Sequence, residues 1–313
     1  MRAANVQDGE VTVTEEPDPR PGAGEVLVRV RAAGLNGADL MQRAGRYPPP
    51  PGASEVPGLE LAGEVVERGP RAERFAEGAR VMAVVAGGGQ AELAVVHERA
   101  AMPVPDELDW DAAGGFPEVF TTAHDALFTQ AGLKLGERLL VHGGAGGVGT
   151  AAVQLGRAAD AEVVATVRRE ELRPEVEALG ARAIDPEGFA EHGPFDVVLE
   201  LVGAPNLPED VQALATGGRI AVIGIGAGAK AELNLAVLMG VRGRIHGSML
   251  RARSLEEKAA AARAVERHVL PLVRRGAVRV PVAETFPLDG VAAAYERFAA
   301  GGKLGKIVLR CAG

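Results

Sequence analysis

Residues 139–150 read LLVHGGAGGVGT, and the reading of this stretch decides the fold. An apolar run ends in a glycine cluster, and a small-residue, helix-periodic pattern follows in Thr150, Ala151, Ala152, Val153 and Leu155. Gly144, Gly146 and Gly149 fit G-x-G-x-x-G in the order strand, turn, helix. The first glycine permits a tight turn, the second lets the backbone approach a pyrophosphate, and the third lets the helix pack on its strand. Amide groups left free at the helix start then face phosphate oxygens. The stretch therefore predicts a cofactor cradle made by Gly144, Ala145, Gly146, Gly147, Val148 and Gly149. An ordinary glycine-rich turn has the same composition, and the flanking strand and helix are what favour the nucleotide.

Composition narrows the setting. A chain of 313 residues suits about two domains with a sizeable core. A formal charge of −8 argues against nucleic acid as the main partner, because backbone binding needs clustered Lys and Arg. No apolar run is long enough to span a bilayer and no signal-peptide pattern opens the chain, so a cytoplasmic protein without a membrane partner is expected. The lone cysteine, Cys311, leaves no intramolecular disulfide and no cysteine-rich metal site.

Residues 1–115 read as mostly β, with short β-branched or alternating runs at 10–14, 25–32, 61–66, 80–85 and 91–96 punctuated by Pro and Gly. Such a series suggests a small barrel or sandwich. A long loop is expected over residues 34–58, carrying Asn36, Asp39, Tyr47 and prolines 48–51. Long ordered loops in compact domains are often functional, and the proline run stiffens this one; a disordered surface loop is the other reading. From residue 116 to 251 helix-like and strand-like segments alternate, which argues for a parallel sheet with helices on both faces. Residues 252–275 read as an amphipathic helix broken by Pro271, and 306–309 as a final strand.

The second strand of the nucleotide unit, 162–167, is followed by Arg168 and Arg169 where an acidic residue would bind the ribose hydroxyl of NAD. Two guanidiniums suit a 2′-phosphate, hence NADPH. The competing reading is a pair of solvated helix-start arginines, with Glu170 or Glu171 serving a ribose. Thr166, on the same strand end, joins the cofactor set. Ligands lie at the carboxyl ends of strands in such sheets, which adds Val202, Gly203, Ile223, Gly224, Ser248 and Met249; simple turn glycines are the alternative. G-x-S-x-G and H-E-x-x-H are absent, and His142 reads as a structural neighbour of the glycine cluster.

GLNGAD (34–39), RAGRYP (43–48), PGLELAGEV (57–65), HGGAGGVG (142–149), ELVG (200–203), GSMLRARSLEEKA (247–259) and GKLGKIVL (302–309) together resemble the medium-chain dehydrogenase/reductases. Among these the chain is most similar to the zinc-free, zeta-crystallin-like quinone oxidoreductases. The resemblance runs nearly end to end. It implies an α/β fold: a GroES-like catalytic domain formed by residues 1–116 and 252–313, around a Rossmann domain at 117–251. It also implies a homodimer, NADPH, and reduction of a quinone or an α,β-unsaturated carbonyl, with Lys306 of the last motif assigned to the cofactor.

Zinc-dependent relatives in this superfamily have Cys where this chain has Asn36 and His where it has Leu59, and the segment after Val85 lacks a cysteine-rich lobe. An amide and a leucine cannot replace thiolate and imidazole, so no metal is expected. Without a Lewis acid, reduction of an electron-poor acceptor is favoured over alcohol oxidation. On the substrate side, Asn36 is expected to donate its amide to the carbonyl and Tyr47 to stack on the ring and offer its hydroxyl; each has a bland alternative, a loop Asn bonding its own backbone and a Tyr merely packed on prolines. Two departures stand out: Ile184, Asp185 and Pro186 replace the tyrosine many relatives carry after the third strand, and Gly37 replaces a proline. The rival functions are an enoyl-thioester reductase and a non-catalytic nucleotide-binding relative.

Overall fold

The structure, a computed structural model, describes residues 1–311. Its N-terminal stretch follows the β-branched pattern. Strands β1 (Arg2–Gln7) and β2 (Glu10–Glu15) pair antiparallel. They turn through Asp8 and Gly9, both at positive φ, as a two-residue Asp-Gly hairpin requires. Strand β3 (Glu25–Gly34) follows, and the expected loop after it begins instead with a helix, α1 (Gly37–Arg43). Asn36 and Asp39 cap that helix reciprocally, a local signal that a loop reading of the segment overlooks. Then come β4 (Glu60–Arg68), β5 (Arg80–Val84), β6 (Leu93–His97), β7 (Ala101–Pro103), α2 (Trp110–Gly114) and α3 (Pro117–His124).

The middle of the chain alternates as expected. Its elements are β8 (Arg138–Val141), α4 (Gly147–Ala158), β9 (Glu162–Thr166), α5 (Arg173–Leu179), β10 (Arg182–Ile184), β11 (Phe195–Glu200), α6 (Leu207–Gln212), β12 (Leu214–Val222), α7 (Leu235–Gly240) and β13 (Arg244–Gly247). The strands form one parallel sheet in the order β10-β9-β8-β11-β12-β13. This is the Rossmann order, with the glycine-rich turn after the central strand. Leu140, Val164, Val198, Ile220 and Phe195 fill its core.

The rest is α8 (Leu255–His268), α9 (Leu270–Arg274), β14 (Val282–Pro287), α10 (Val291–Ala299) and β15 (Lys306–Arg310). Pro271 separates α8 from α9 and sits in the first turn of α9, where its missing N–H costs nothing. Strand β15 pairs antiparallel with β3, and β3 pairs with β4 and β6, giving a seven-stranded path that runs β14-β15-β3-β4-β5-β7 with β6 beside β3. Val26, Val28, Val30, Leu61, Val81, Ile307 and Leu309 form the core of this GroES-like unit.

The chain divides into two units. One holds Met1–Thr121, Leu250–Gly301 and Lys306–Gly313; the other holds Thr122–Met249 and Gly302–Gly305. The boundaries lie a few residues from 116/117 and 251/252. Gly302–Gly305, expected in the GroES-like domain, belongs instead to the Rossmann unit, because Gly305 N donates to Ala145 O at 2.8 Å and Gly305 bridges to Gly146. Among the described residues, no helix is long and apolar enough to cross a membrane.

Candidate functional site

The glycine turn has the geometry its spacing predicts. Gly143 takes positive φ (69°), and its carbonyl accepts from Gly146 N at 2.9 Å. Gly146 caps α4, leaving the first-turn amides of Gly147, Val148 and Gly149 without helical acceptors. A Cβ on Gly149 would lie 2.2 Å from Gly143 O, so only glycine lets the helix start close against the turn. These features fit the pyrophosphate of a dinucleotide. The strap Gly302–Gly305, part of the GKLGKIVL stretch, crosses Ala145 and Gly146, a contact the motif by itself did not announce. Its sequence separation from the turn leaves no local signal.

Arg168 and Arg169 follow β9 and are exposed. Arg169 Nη1 lies 3.4 Å from Glu171 Oε1, and its guanidinium packs against Gly302 so closely that a Cβ there would clash. Thr166 corrects its expectation. Its side chain does not face a ligand: it is 2% exposed, and Oγ1 accepts from Gly143 N at 3.2 Å and pairs with His142 Nδ1 at 3.2 Å. It holds the loop from beneath.

At the end of β11, Glu200 is fully buried. Its Oε1 accepts from Val202 N and Gly203 N and its Oε2 from Asn206 Nδ2, while its carbonyl accepts from Ile223 N and Gly224 N. The predicted segments Val202–Gly203 and Ile223–Gly224 are thus tied to one residue. Gly203 sits at φ 128°, and a Cβ on Gly224 would meet Leu201 O at 2.0 Å. Ser248 N donates to Val222 O, its hydroxyl lies 3.4 Å from Asp125, and Met249 is 54% exposed.

In the GroES-like unit a second set of predicted residues forms a buried ionic cluster. Pairing of β15 with β3 brings Lys306 beside Leu35 and Asn36, and pairing of β3 with β4 brings Glu60 opposite. Lys306 Nζ donates to Leu35 O (2.6 Å), Asn36 Oδ1 (2.7 Å) and Glu60 Oε1 (2.6 Å). An ammonium has three protons, and all three are used. Lys306, expected at the cofactor, is therefore a buried structural cation. Asn36 is likewise not free: its amide donates to Glu60 Oε1 (2.9 Å) and Gly34 O (3.3 Å), which removes the expected donation to a substrate carbonyl. Gly34 must lack a side chain, since a Cβ would lie 2.3 Å from Glu60 Oε1. Glu60 Oε2 accepts from Glu118 N at the start of α3, where a carboxylate also meets the positive helix end.

Two further carboxyls surround this cluster. Burial pushes Asp39 up to about 6. Burial, reinforced by the neighbouring Glu60 charge, pushes Glu118 up to about 8, and its Oε2 is buried with no hydrogen-bond partner among the described residues. Glu118 shares its surroundings with Tyr47, Arg251 and Lys258. Arg251 lies 4.9 Å over the Tyr47 ring and donates to Tyr47 O, Gln42 Oε1 and Ala86 O, locking the proline loop. Tyr47 is half-buried and its hydroxyl makes no hydrogen bond among the described residues. Arg251 lies within the GSMLRARSLEEKA stretch and Glu118 just after the mostly β N-terminal segment, but nothing in their local sequence brings either one to Tyr47.

Another clustering is His142, Glu200 and Asp210, whose ligand atoms lie within 4.8 Å of one another. His142 Nε2 is 2.8 Å from Asp210 Oδ1.

Residues 22–106 match the alcohol dehydrogenase GroES-like domain, and residues 182–309 match the model described as zinc-binding dehydrogenase. The quinone oxidoreductase of Lama guanicoe is 32% identical over 304 residues, covering 93% of this chain and 90% of that protein. An alcohol dehydrogenase superfamily protein from Novosphingobium aromaticivorans superposes with a TM-score of 0.86 at 28% identity, covering 100% of both chains. A mycobacterial protein solved in complex with NADPH superposes at 0.86 with 27% identity, covering 99% of each chain.

Proposed function

Since this chain belongs to the quinone oxidoreductase family of the GroES-like medium-chain dehydrogenases, we propose that it is an NADPH-dependent, zinc-independent reductase of quinones or α,β-unsaturated carbonyls. The observation that carries this reading is the Lys306 ammonium, which already fills the oxygens of Leu35, Asn36 and Glu60. Asn36 and buried Leu59 stand where zinc-dependent relatives have Cys and His. An amide, a leucine and a resident cation are no zinc site, whatever the name of the matching model.

When bound, the nicotinamide supplies the hydride. The chain's own residues bind, orient and manage the proton. The Gly143–Gly149 turn and the α4 amides receive the pyrophosphate. Arg168 and Arg169 take the 2′-phosphate through charge-assisted hydrogen bonds. Tyr47, held by Arg251, presents an uncommitted hydroxyl as proton donor to the reduced oxygen, and solvent restores that proton. A quinone gains one hydride and one proton and leaves as the hydroquinone.

We read the protein as a cytoplasmic homodimer. Support comes from β13 at the sheet edge and from the exposed apolar side chains Leu235 (64%) and Met239 (76%) on the neighbouring α7.

The deciding experiment follows nicotinamide absorbance with quinones, alkenals and enoyl-CoAs, using NADPH and NADH, with zinc measured by elemental analysis. NADPH oxidation that needs a quinone or enone, in zinc-free protein and indifferent to chelator, is expected. Stoichiometric zinc whose removal abolishes turnover would sink the reading, and turnover with enoyl-CoA alone would replace it with the thioester reductase.

A further inference from the structure

Beneath the glycine turn lies a chain of buried polar groups that the reaction itself does not use. His142 is 1% exposed, directly after β8. Its Nε2 meets Asp210 Oδ1 of α6 at 2.8 Å, its Nδ1 meets Thr166 Oγ1 of β9 at 3.2 Å, and Thr166 Oγ1 accepts from Gly143 N at 3.2 Å. Phe189 packs edge-on against the imidazole at 4.6 Å. The carboxylate of Asp210 only accepts, so Nε2 carries the ring proton and Nδ1 is left as an acceptor. The Thr166 hydroxyl can then donate to Nδ1 while accepting from Gly143 N. The opposite tautomer would set two acceptors against each other at Asp210, and would leave the Thr166 proton without a partner. Each group has a bond only when all bonds run in one direction.

From this accounting we propose that Asp210, through His142 and Thr166, is a positioning residue that fixes the Gly143 peptide and so shapes the turn for a dinucleotide. The proposal rests on the cofactor reading above. The two ends of the Gly143 peptide group region are then held independently: its N–H by Thr166, its carbonyl by Gly146 N at 2.9 Å. Glu200 stands 3.9 Å from the same Nε2 and holds Val202 N and Gly203 N, so the imidazole sits between the two cofactor-facing turns. Asp210 Oδ2 has no partner among the described residues, which fits a carboxylate kept for its effect on the histidine and not for its own saturation. A metal ion at these three residues would need the Nε2 lone pair that the chain assigns to a proton.

The test begins without cofactor. Nitrogen-15 NMR of the imidazoles, with the His142 signals assigned by loss in His142→Gln, should show the neutral imidazole with a protonated Nε2 and an unprotonated Nδ1. A protonated Nδ1 overturns the chain. Asp210→Asn keeps shape but allows either tautomer, since the amide both donates and accepts. Its dissociation constants for NADPH and NADH, read by fluorescence, should both rise about tenfold, with kcat at saturating cofactor and KM for quinone within about twofold of wild type. Thr166→Val should behave the same way, and Thr166→Ser should restore binding. Unaltered cofactor binding in both Asp210→Asn and Thr166→Val overturns the proposal, as does a Thr166→Ser no better than Thr166→Val. A wild-type protein that binds neither dinucleotide overturns the cofactor reading together with the proposal. A wild type that binds with Nδ1 protonated overturns the hydrogen-bond chain alone.

Discussion

Replacing Lys306 by Met removes the only cation in contact with Glu60 among the described residues while keeping most of the side-chain volume. Glu60 is 0% exposed, and without Nζ it retains only the Asn36 amide and the Glu118 backbone N–H. Leu35 O and Asn36 Oδ1 lose a donor at the same time. Removing one member of a buried ion pair costs about 3–5 kcal/mol, because the other charge stays buried and uncompensated. For a unit of this size that corresponds to a fall in melting temperature of roughly 10 °C. The double variant Lys306→Met, Glu60→Gln removes both charges and leaves a neutral amide whose single oxygen keeps one of the two bonds that Asn36 and Glu118 N make to the carboxylate. It should recover at least about half of the loss. Melting would be followed by circular dichroism for wild type, both single variants and the double. A Lys306→Met variant within about 1 kcal/mol of wild type, or a double variant no more stable than the single, would refute the view that Lys306 exists to neutralise Glu60.

Other expectations follow from the same geometry. Arg168→Ala with Arg169→Ala should weaken NADPH by about tenfold or more and spare NADH, since a charge-assisted contact contributes roughly 1.5–3 kcal/mol; equal losses for both cofactors would count against a 2′-phosphate site. Glu118, pushed up to about 8, keeps its proton in the folded state where the unfolded chain releases it near 4.5. Stability should therefore fall as pH rises from that lower value toward 8, and Glu118→Gln should flatten the slope in thermal melts. Tyr47→Phe should mildly reduce turnover while leaving NADPH binding unchanged; an unaltered rate across quinones and enones would remove the tyrosine from the proton path. Met239→Glu places a charge on the exposed face of α7 and should convert a dimer to a monomer in light scattering; a wild-type monomer at micromolar concentration would end the dimer proposal.

Much of this protein was legible in its sequence because the deciding interactions are local. The turn at 139–150 needs glycine at fixed spacings, and those needs arise within about ten residues; a parallel sheet with helices on both faces followed from the alternation around it, and the Rossmann domain from the family resemblance. Pro271 likewise announced the break between α8 and α9. Tertiary structure alone decided what the predicted site residues do. Asn36 reads as a loop amide open to substrate, but pairing of β15 with β3 carries Lys306 across 270 residues to take its oxygen, and Glu60 takes its nitrogen. Thr166 reads as a strand-end contact, yet its hydroxyl turns inward to His142 and Gly143. The Gly302–Gly305 strap joins a unit its sequence position does not suggest. In each case a polar group leaving water, on a side chain or on the backbone, must find partners, and the packing of distant segments determines which partners are there.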